Sequence, residues 1–221
     1  MRGLLEGLKR GAEALLDVVI PLRARSARMK ERKAEDIPLT PTAHELLGAQ
    51  VTTLMDYRNS AVQDLVRSLK YDRSRYAAKM AADLLADYLR EEIASVRTFS
   101  TKSILLIPIP LHTSRRRERG FNQIELVLES LPQEFKDGTL SRITAHTMQR
   151  VRATDPQTKL SREARIKNVV GAFAVVHIEQ VKNKHVFLID DVTTTGATLL
   201  NAGKPLKKAG VEVSLIALAR A

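Results

Sequence analysis

His185–Leu200, HVFLIDDVTTTGATLL, reads as a strand, an acidic pair, a hydroxyl-rich loop and a helix start. Val186 to Ile189 is a short apolar run of the kind that fills a buried parallel strand. Asp190 and Asp191 follow at once, then Thr193, Thr194, Thr195, Gly196, Ala197 and Thr198. In an open parallel sheet, ligands bind beyond the carboxyl ends of strands, so the acids stand where a site is expected. A helix starting near Gly196 presents unbonded N–H groups and its positive dipole end; the threonine hydroxyls add donors, and glycine lets the backbone approach closely. That is a cup for one phosphate monoester, which Gly196→Val should block without unfolding the domain. Ionised aspartates only accept hydrogen bonds, so the pair suits the two donors of a vicinal diol. Diol and phosphate a few residues apart describe a ribose 5-phosphate. Neighbours on a regular strand point to opposite faces, so both acids meet one sugar only if the chain has left strand geometry by Asp191.

Outward from this stretch, strands alternate with helical patterns. Upstream, Val169 to Val176 reads as a strand; downstream come a helix from about Gly196 to Lys208 and a strand from Val211 to Leu218. Gly203 and Pro205 predict a kink or an early end in that helix. Val62, Leu65, Val66 and Leu69 share one helical stripe from Asn59 onward, and Ala77, Met80, Ala81, Leu84, Leu85, Tyr88 and Leu89 share a second after Asp72. Ser103 to Ile109 is a buried strand closed by Pro108 and Pro110, opening into a loop from Leu111 to Gln123, LHTSRRRERGFNQ. A helix over 122–129 stops before Pro132. Residues 133–168 are polar and basic with a strand near Ile143, the composition of a functional or mobile segment. This alternation predicts an α/β fold, a parallel sheet with helices on both faces.

The N-terminal part differs in character. Leu4, Leu5, Leu8, Ala12, Leu15, Leu16 and Val19 line one face of a helix over 3–20, interrupted by Lys9, Arg10, Glu13 and Asp17, which fits neither a signal-peptide core nor a membrane span. The expected location is therefore the cytoplasm. Pro21 ends the helix, and Arg23 to Lys33, with six basic residues against one acid, reads as a solvated linker or a nucleic-acid arm. Residues 37–56 carry turn signals and a short pairing over 50–55.

Bulk properties set the class. The 221 residues contain 44% hydrophobic and 28% charged side chains, as in soluble globular proteins, and no cysteine, which excludes disulfides, thiolate metal sites and cysteine nucleophiles. The 36 basic residues against 25 acidic ones give a net charge of +11, which favours phosphorylated small molecules or nucleic acid as partners. A Walker A loop is excluded because Gly203-Lys204 is followed by Pro205. A phosphoaspartyl-transferase pattern is excluded because the acids are adjacent and position 192 is valine. Threonine capping of a helix explains Thr194 or Thr195 but not two acids ahead of them.

Residues 190–198, DDVTTTGAT, resemble the phosphoribosyl pyrophosphate (PRPP) motif of type I phosphoribosyltransferases. A narrower resemblance is to the ComF family of competence-related, phosphoribosyltransferase-like proteins. It is carried by Pro108-Ile109-Pro110-Leu111-His112, by Arg119-Gly120-Phe121-Asn122-Gln123, by RVRATDPQTKLSREARIKNVVGAF over 150–173, and by Leu69-Lys70-Tyr71. The resemblance covers most of 57–221. It implies a type I phosphoribosyltransferase-like sheet over 57–221, preceded over 1–56 by a small, mostly helical extension with a degenerate zinc-ribbon-like region. Relatives carry four zinc-binding cysteines there; this chain has Ala24 and Ala27 where the first pair would stand, so no zinc is expected.

The resemblance also implies roles. Asp190 and Asp191 would be the catalytic acids and, with Thr194, Thr195, Gly196, Ala197 and Thr198, the PRPP-binding residues. Arg115, Arg117, Arg119 and Gly120, with Arg116 beside them, would form the pyrophosphate loop; guanidinium forks match phosphate oxygens, and Gly120 allows close approach. Arg150, Arg152, Thr154, Gln157, Arg165 and Asn168 would belong to a flexible loop closing over the substrate. His112 reads as a structural loop histidine. Magnesium would arrive with PRPP rather than be ligated directly by the protein. The expected function is PRPP-dependent phosphoribosyl transfer to an unknown acceptor, linked to competence, DNA uptake or nucleotide metabolism. Two alternatives stand beside it: a non-catalytic PRPP- or nucleotide-sensing module, and a single-stranded DNA-handling factor working with DNA-uptake proteins. Aromatics at 4% argue against a base-stacking platform.

Overall fold

A computed structural model describes residues 28–153 and 161–221. The expected helix over 3–20, Pro21 and the first part of the basic segment lie outside the described residues. So do Thr154 and Gln157. The described part of the basic segment is not a solvated linker. Residues 28–31 are helical, Met29 is fully buried in the core, and Arg28 and Arg32 reach Asp64 at 3.7 and 3.2 Å. One buried apolar side chain among the four cations of residues 28–33 is enough to dock this part when its neighbours find a carboxylate.

Strands β1 (Thr42–Leu46) and β2 (Ala49–Asp56) form an antiparallel hairpin. Leu47 and Gly48 both have positive φ, as a two-residue primed turn requires. Helix α1 (Ser60–Asp72) starts at Asn59, whose side chain accepts from the Ala61 and Val62 amides, and α2 (Arg75–Phe99) is capped by Ser74. Strand β3 (Ser103–Pro108) follows, as the apolar run predicts. The segment read as a loop after Pro110 is instead largely a short helix, α3 (Thr113–Arg119), capped by His112; α4 (Gln123–Glu129) is capped by Asn122. Strands β4 (Arg142–Ile143) and β5 (Met148–Arg150), helix α5 (Arg162–Asn168), strand β6 (Phe173–Val175) and helix α6 (Ile178–Val181) lead to β7 (Lys184–Thr193). The expected strand over 169–176 is thus confined to three residues, because turn residues around Gly171 precede it. Helix α7 (Ala197–Lys208) and strand β8 (Glu212–Arg220) complete the described chain.

Helix α7 neither ends nor breaks at Pro205. Proline in the last turn forfeits a single ladder bond near the end. Gly203 serves packing: a Cβ there would stand 3.2 Å from Leu215, so its absence lets α7 lie close on β8.

The main sheet has the order β1-β2-β8-β7-β3-β4, with every pairing parallel except β1 with β2. The β1–β2 hairpin, from the N-terminal side of the division drawn at residue 57, belongs to this sheet. A separate two-stranded ribbon pairs β5 with β6. Alternation along the strands sends side chains into two cores. Ile104, Leu106, Phe187, Ile189, Ile216 and Leu218 pack with α1, α2 and α4, whereas Leu105, Ile107, Val186, Leu188, Leu215 and Ala217 pack with α7 and the ribbon. The result is an α/β fold with a mostly parallel sheet flanked by helices. The chain leaves β3 toward β4 on one flank and leaves β7 toward β8 on the other. The strand order therefore reverses between β3 and β7, and their carboxyl ends frame the crevice where such sheets bind ligands.

Candidate functional site

Asp190 and Asp191 lie at the carboxyl end of β7, on the reversal point. The strand does not end before them. Val192 and Thr193 stay in register with Ala219 and Arg220 of β8, so the two acids point to opposite faces. This corrects the expectation that the chain leaves strand geometry by Asp191; continued pairing with β8 holds it extended. Each acid consequently meets a different layer. Asp191 Oδ2 stands 3.3 Å from Lys70 Nζ of α1 and accepts from Gln123 Nε2 of α4 at 3.4 Å. Its Oδ1 accepts the Val192 amide at 2.6 Å, and Asp190 Oδ1 accepts the Asp191 amide at 2.9 Å.

Burial, then the neighbouring charge of Asp191, pushes the Asp190 carboxyl up to about 7, against lowering contributions from the Asp191 amide, Lys70 and Arg150. Burial alone would lower the Lys70 ammonium, but the fields of Asp191, Tyr57, Tyr71 and Asp190 outweigh it and raise Lys70 above its ordinary value. Burial and then repulsion from Arg119 lower Arg115, which also feels Asp191 and Tyr71. Burial and then Arg115 lower Arg150, which feels Asp190. Three cations drawn from α1, α3 and β5 thus converge on the acid pair. Such an array is suited to an anionic ligand that brings its own diol.

The loop after the acids is closed on itself more than the sequence implies. The Gly196 amide donates to Thr193 Oγ1 at 3.1 Å and the Ala197 amide to Thr195 Oγ1 at 3.3 Å. Thr194, Thr195 and Thr198 flank it, half-buried. Gly196 has φ +77°, and a Cβ on it would meet Leu46 Cβ of β1 at 2.8 Å. The missing side chain therefore makes room for Leu46 of β1. Gly196→Val is expected to lower stability by about 2 kcal/mol or more, from overpacking and left-handed strain together. Adding Leu46→Ala should recover part of that loss in denaturant titrations. Recovery of none of it would show that Leu46 is not the obstacle.

The predicted pyrophosphate arginines divide by helical phase. Arg115 is half-buried and feels Asp191, Arg119 is half-buried near enough to Arg115 to repel it, and Arg117 is exposed. Arg116 is spent in a fork on Glu125, at 2.8 and 2.9 Å. Gly120 ends α3 at φ +76°, where it supplies the left-handed cap. His112 Nδ1 accepts the Ser114 amide at 3.3 Å, the structural role read from its position. In the second basic segment, Arg150 stacks over Phe173 at 5.2 Å and faces the site, whereas Arg152 donates to the carbonyls of Asn168 and Val170 at 2.8 and 2.9 Å. Arg152 and Asn168 thus tie one end of the loop to the turn before β6. The side chain of Arg165 lies outside the described residues. Lys70 and Gln123 escape a residue-by-residue reading. Their one signal was membership of the Leu69-Lys70-Tyr71 and Phe121-Asn122-Gln123 motifs, because helices far away in the chain bring them to Asp191.

Comparisons with known proteins bear on this arrangement. A model described as the phosphoribosyl transferase domain matches residues 140–221, which include β7, the acid pair and α7. The chain is 33% identical over 160 residues to "Competence protein F" of Haemophilus influenzae, covering 71% of this chain and 67% of that protein. It belongs to the ComF family. The ComF relatives also include "DNA utilization protein YhgH" of Salmonella typhi, 32% identical over 66% of this chain and 61% of that protein. "Competence protein ComFC" of Bacillus subtilis is 27% identical over 74% of this chain and 63% of that protein. The chain thus spans about three fifths to two thirds of the length of these ComF relatives. Residues 140–221 thus form a phosphoribosyltransferase-like domain. Among the described residues, no helix is long and apolar enough to cross a membrane.

Proposed function

We propose that the chain binds PRPP with magnesium at the β3–β7 crevice and transfers its phosphoribosyl group to an acceptor, displacing pyrophosphate. The observation that carries this reading is the convergence of Lys70, Arg115 and Arg150 on two aspartates that directly precede the loop into α7. Asp190 holds the ribose hydroxyls, Asp191 on the opposite face of the strand holds Lys70 in place, residues 194–198 hold the 5-phosphate, and Arg115, Arg119 and Arg150 take the pyrophosphate charge. When bound, the magnesium ion neutralises the leaving pyrophosphate. The fixed geometry then favours a cationic, ribosyl-centred transition state.

The test is a screen of nucleobases and other amines for pyrophosphate release from PRPP with magnesium. Release with one acceptor is the expected result. PRPP binding with no release by any acceptor would favour the sensing module. A second reading, single-stranded DNA handling, is favoured by the names of the relatives and the charge of +11. A steep fall in DNA affinity with salt, without any PRPP binding, would select it.

A further inference from the structure

A cavity of about 500 Å³ opens on the same edge of the sheet, against the ends of β2 and β8 and the start of β1. Arg220 on its wall is the register partner of Thr193 in β7 and of Asp56 in β2. The Ala221 amide donates to the Thr193 carbonyl at 3.0 Å and the Tyr57 amide to the Arg220 carbonyl at 2.8 Å, so one row of backbone joins the cavity to the acid-bearing strand. Two inter-strand spacings, roughly 10 Å, separate β2 from β7.

Hydrogen bonding fixes the polarity of the wall. Thr42 and Thr53 are register partners on neighbouring strands. The Thr42 hydroxyl donates to the Thr40 carbonyl at 3.0 Å, which leaves its oxygen as an acceptor. Arg220 Nη1 lies 2.6 Å from His44 Nδ1, and a guanidinium has only donors, so Nδ1 accepts. Burial, then the charge of Arg220, holds His44 below its ordinary pKa, so the ring is neutral at pH 7. Its one proton therefore sits on Nε2 and is donated to Thr53 Oγ1 at 3.0 Å. Having accepted that bond, Thr53 has its own hydroxyl proton to give. The wall thus places a hydroxyl with a proton to give, Thr53 at 3% exposure, beside an acceptor oxygen on Thr42, with Met55 lining the same cavity.

A carbonyl next to an N–H on one planar edge complements that pair. We propose that this cavity binds a planar compound with a lactam or carboxamide edge and that this compound is the acceptor. Its role as acceptor rests on the PRPP reading above, while its binding does not. Met55 packs against the ring, and the Asp56–Arg58 fork with Arg220 forms a charged rim.

The experiment titrates hypoxanthine and nicotinamide into the full chain and follows amide shifts by NMR, with purine and pyridine as analogues lacking the edge. Hypoxanthine or nicotinamide should shift residues 40–44 and 53–58 and bind at least roughly tenfold more tightly than its analogue. Thr53→Val should erase that preference and Thr53→Ser should keep it. Thr42→Val, at an exposed position, checks the same pair should the Thr53 variant fold poorly. Equal affinity for hypoxanthine and purine and for nicotinamide and pyridine, shifts confined to other surfaces, or an unchanged preference in both valine variants would overturn the proposal. PRPP with magnesium is titrated separately and read on residues 190–198. Loss of that signal alone would remove the PRPP reading and leave lactam binding standing; loss of lactam binding alone would do the reverse.

Discussion

The double variant Asp190→Asn, Asp191→Asn is expected to lose PRPP–magnesium binding by roughly 100-fold or more in calorimetric titration. Hydrogen bonds to charged groups contribute about 1.5–3 kcal/mol each, and the variant removes the charge both from the diol's acceptor and from the acid that holds Lys70. Neutral amides also expose Lys70, Arg115 and Arg150 to one another without intervening acids. Lost affinity must be separated from lost fold, and the raised carboxyl of Asp190 provides the means. Because its folded value lies near 7 and its ordinary value near 3.8, the folded protein binds more protons than the unfolded chain between those limits. Asp190 therefore stabilises fold below about pH 4, and that contribution is lost as pH rises through about 7. Linkage sets an upper bound near 4 kcal/mol; partial contact with solvent reduces this to about 1–2 kcal/mol. Asp190→Asn should thus be at least as stable as the native chain at pH 7.5 and should show a flatter stability profile between pH 4 and 7. Unchanged PRPP affinity in the well-folded double variant would remove Asp190 and Asp191 from the site.

Lys70→Met carries the second large effect. The ammonium pairs with Asp191 and lowers Asp190, so its removal moves the Asp190 carboxyl upward from about 7. Diol binding needs the ionised acid, so affinity for PRPP–magnesium rises with pH through that carboxyl. The midpoint of this pH profile should shift to higher pH in Lys70→Met, with roughly tenfold weaker binding at pH 7. Lys70→Arg keeps the charge and should restore most of both. A uniform loss of affinity at every pH, without a shifted midpoint, would make Lys70 a packing residue only.

These outcomes depend on residues that differ in how far the sequence reveals them. The apolar run ending in Asp190-Asp191, the proline-closed strand at 103–108 and the stripes of α1 and α2 are local patterns, because strand and helix periods act over a few residues. They establish the α/β class, the mostly parallel sheet and the position of the acids at a strand end, and the motifs around them point to the family. Arginine roles do not follow in this way. Arg115 and Arg116 are adjacent, yet one turns toward the acids and the other forks on Glu125, since successive helical residues face directions about 100° apart. Arg150 and Arg152 divide similarly between site and scaffold.

The sequence by itself determined that a strand delivers two carboxylates to a helix start, because that requires only the order of residues along one segment. Tertiary structure decided what surrounds them. Continued pairing with β8 kept β7 extended past both acids, so they face different layers; α1 and α4 brought Lys70 and Gln123 to one, and the β5–β6 ribbon brought Arg150 to the other. The same packing set Leu46 of β1 against Gly196, a steric reason for glycine there that the local sequence does not show. Such neighbours are chosen by how layers stack on the sheet, and this depends on the whole chain.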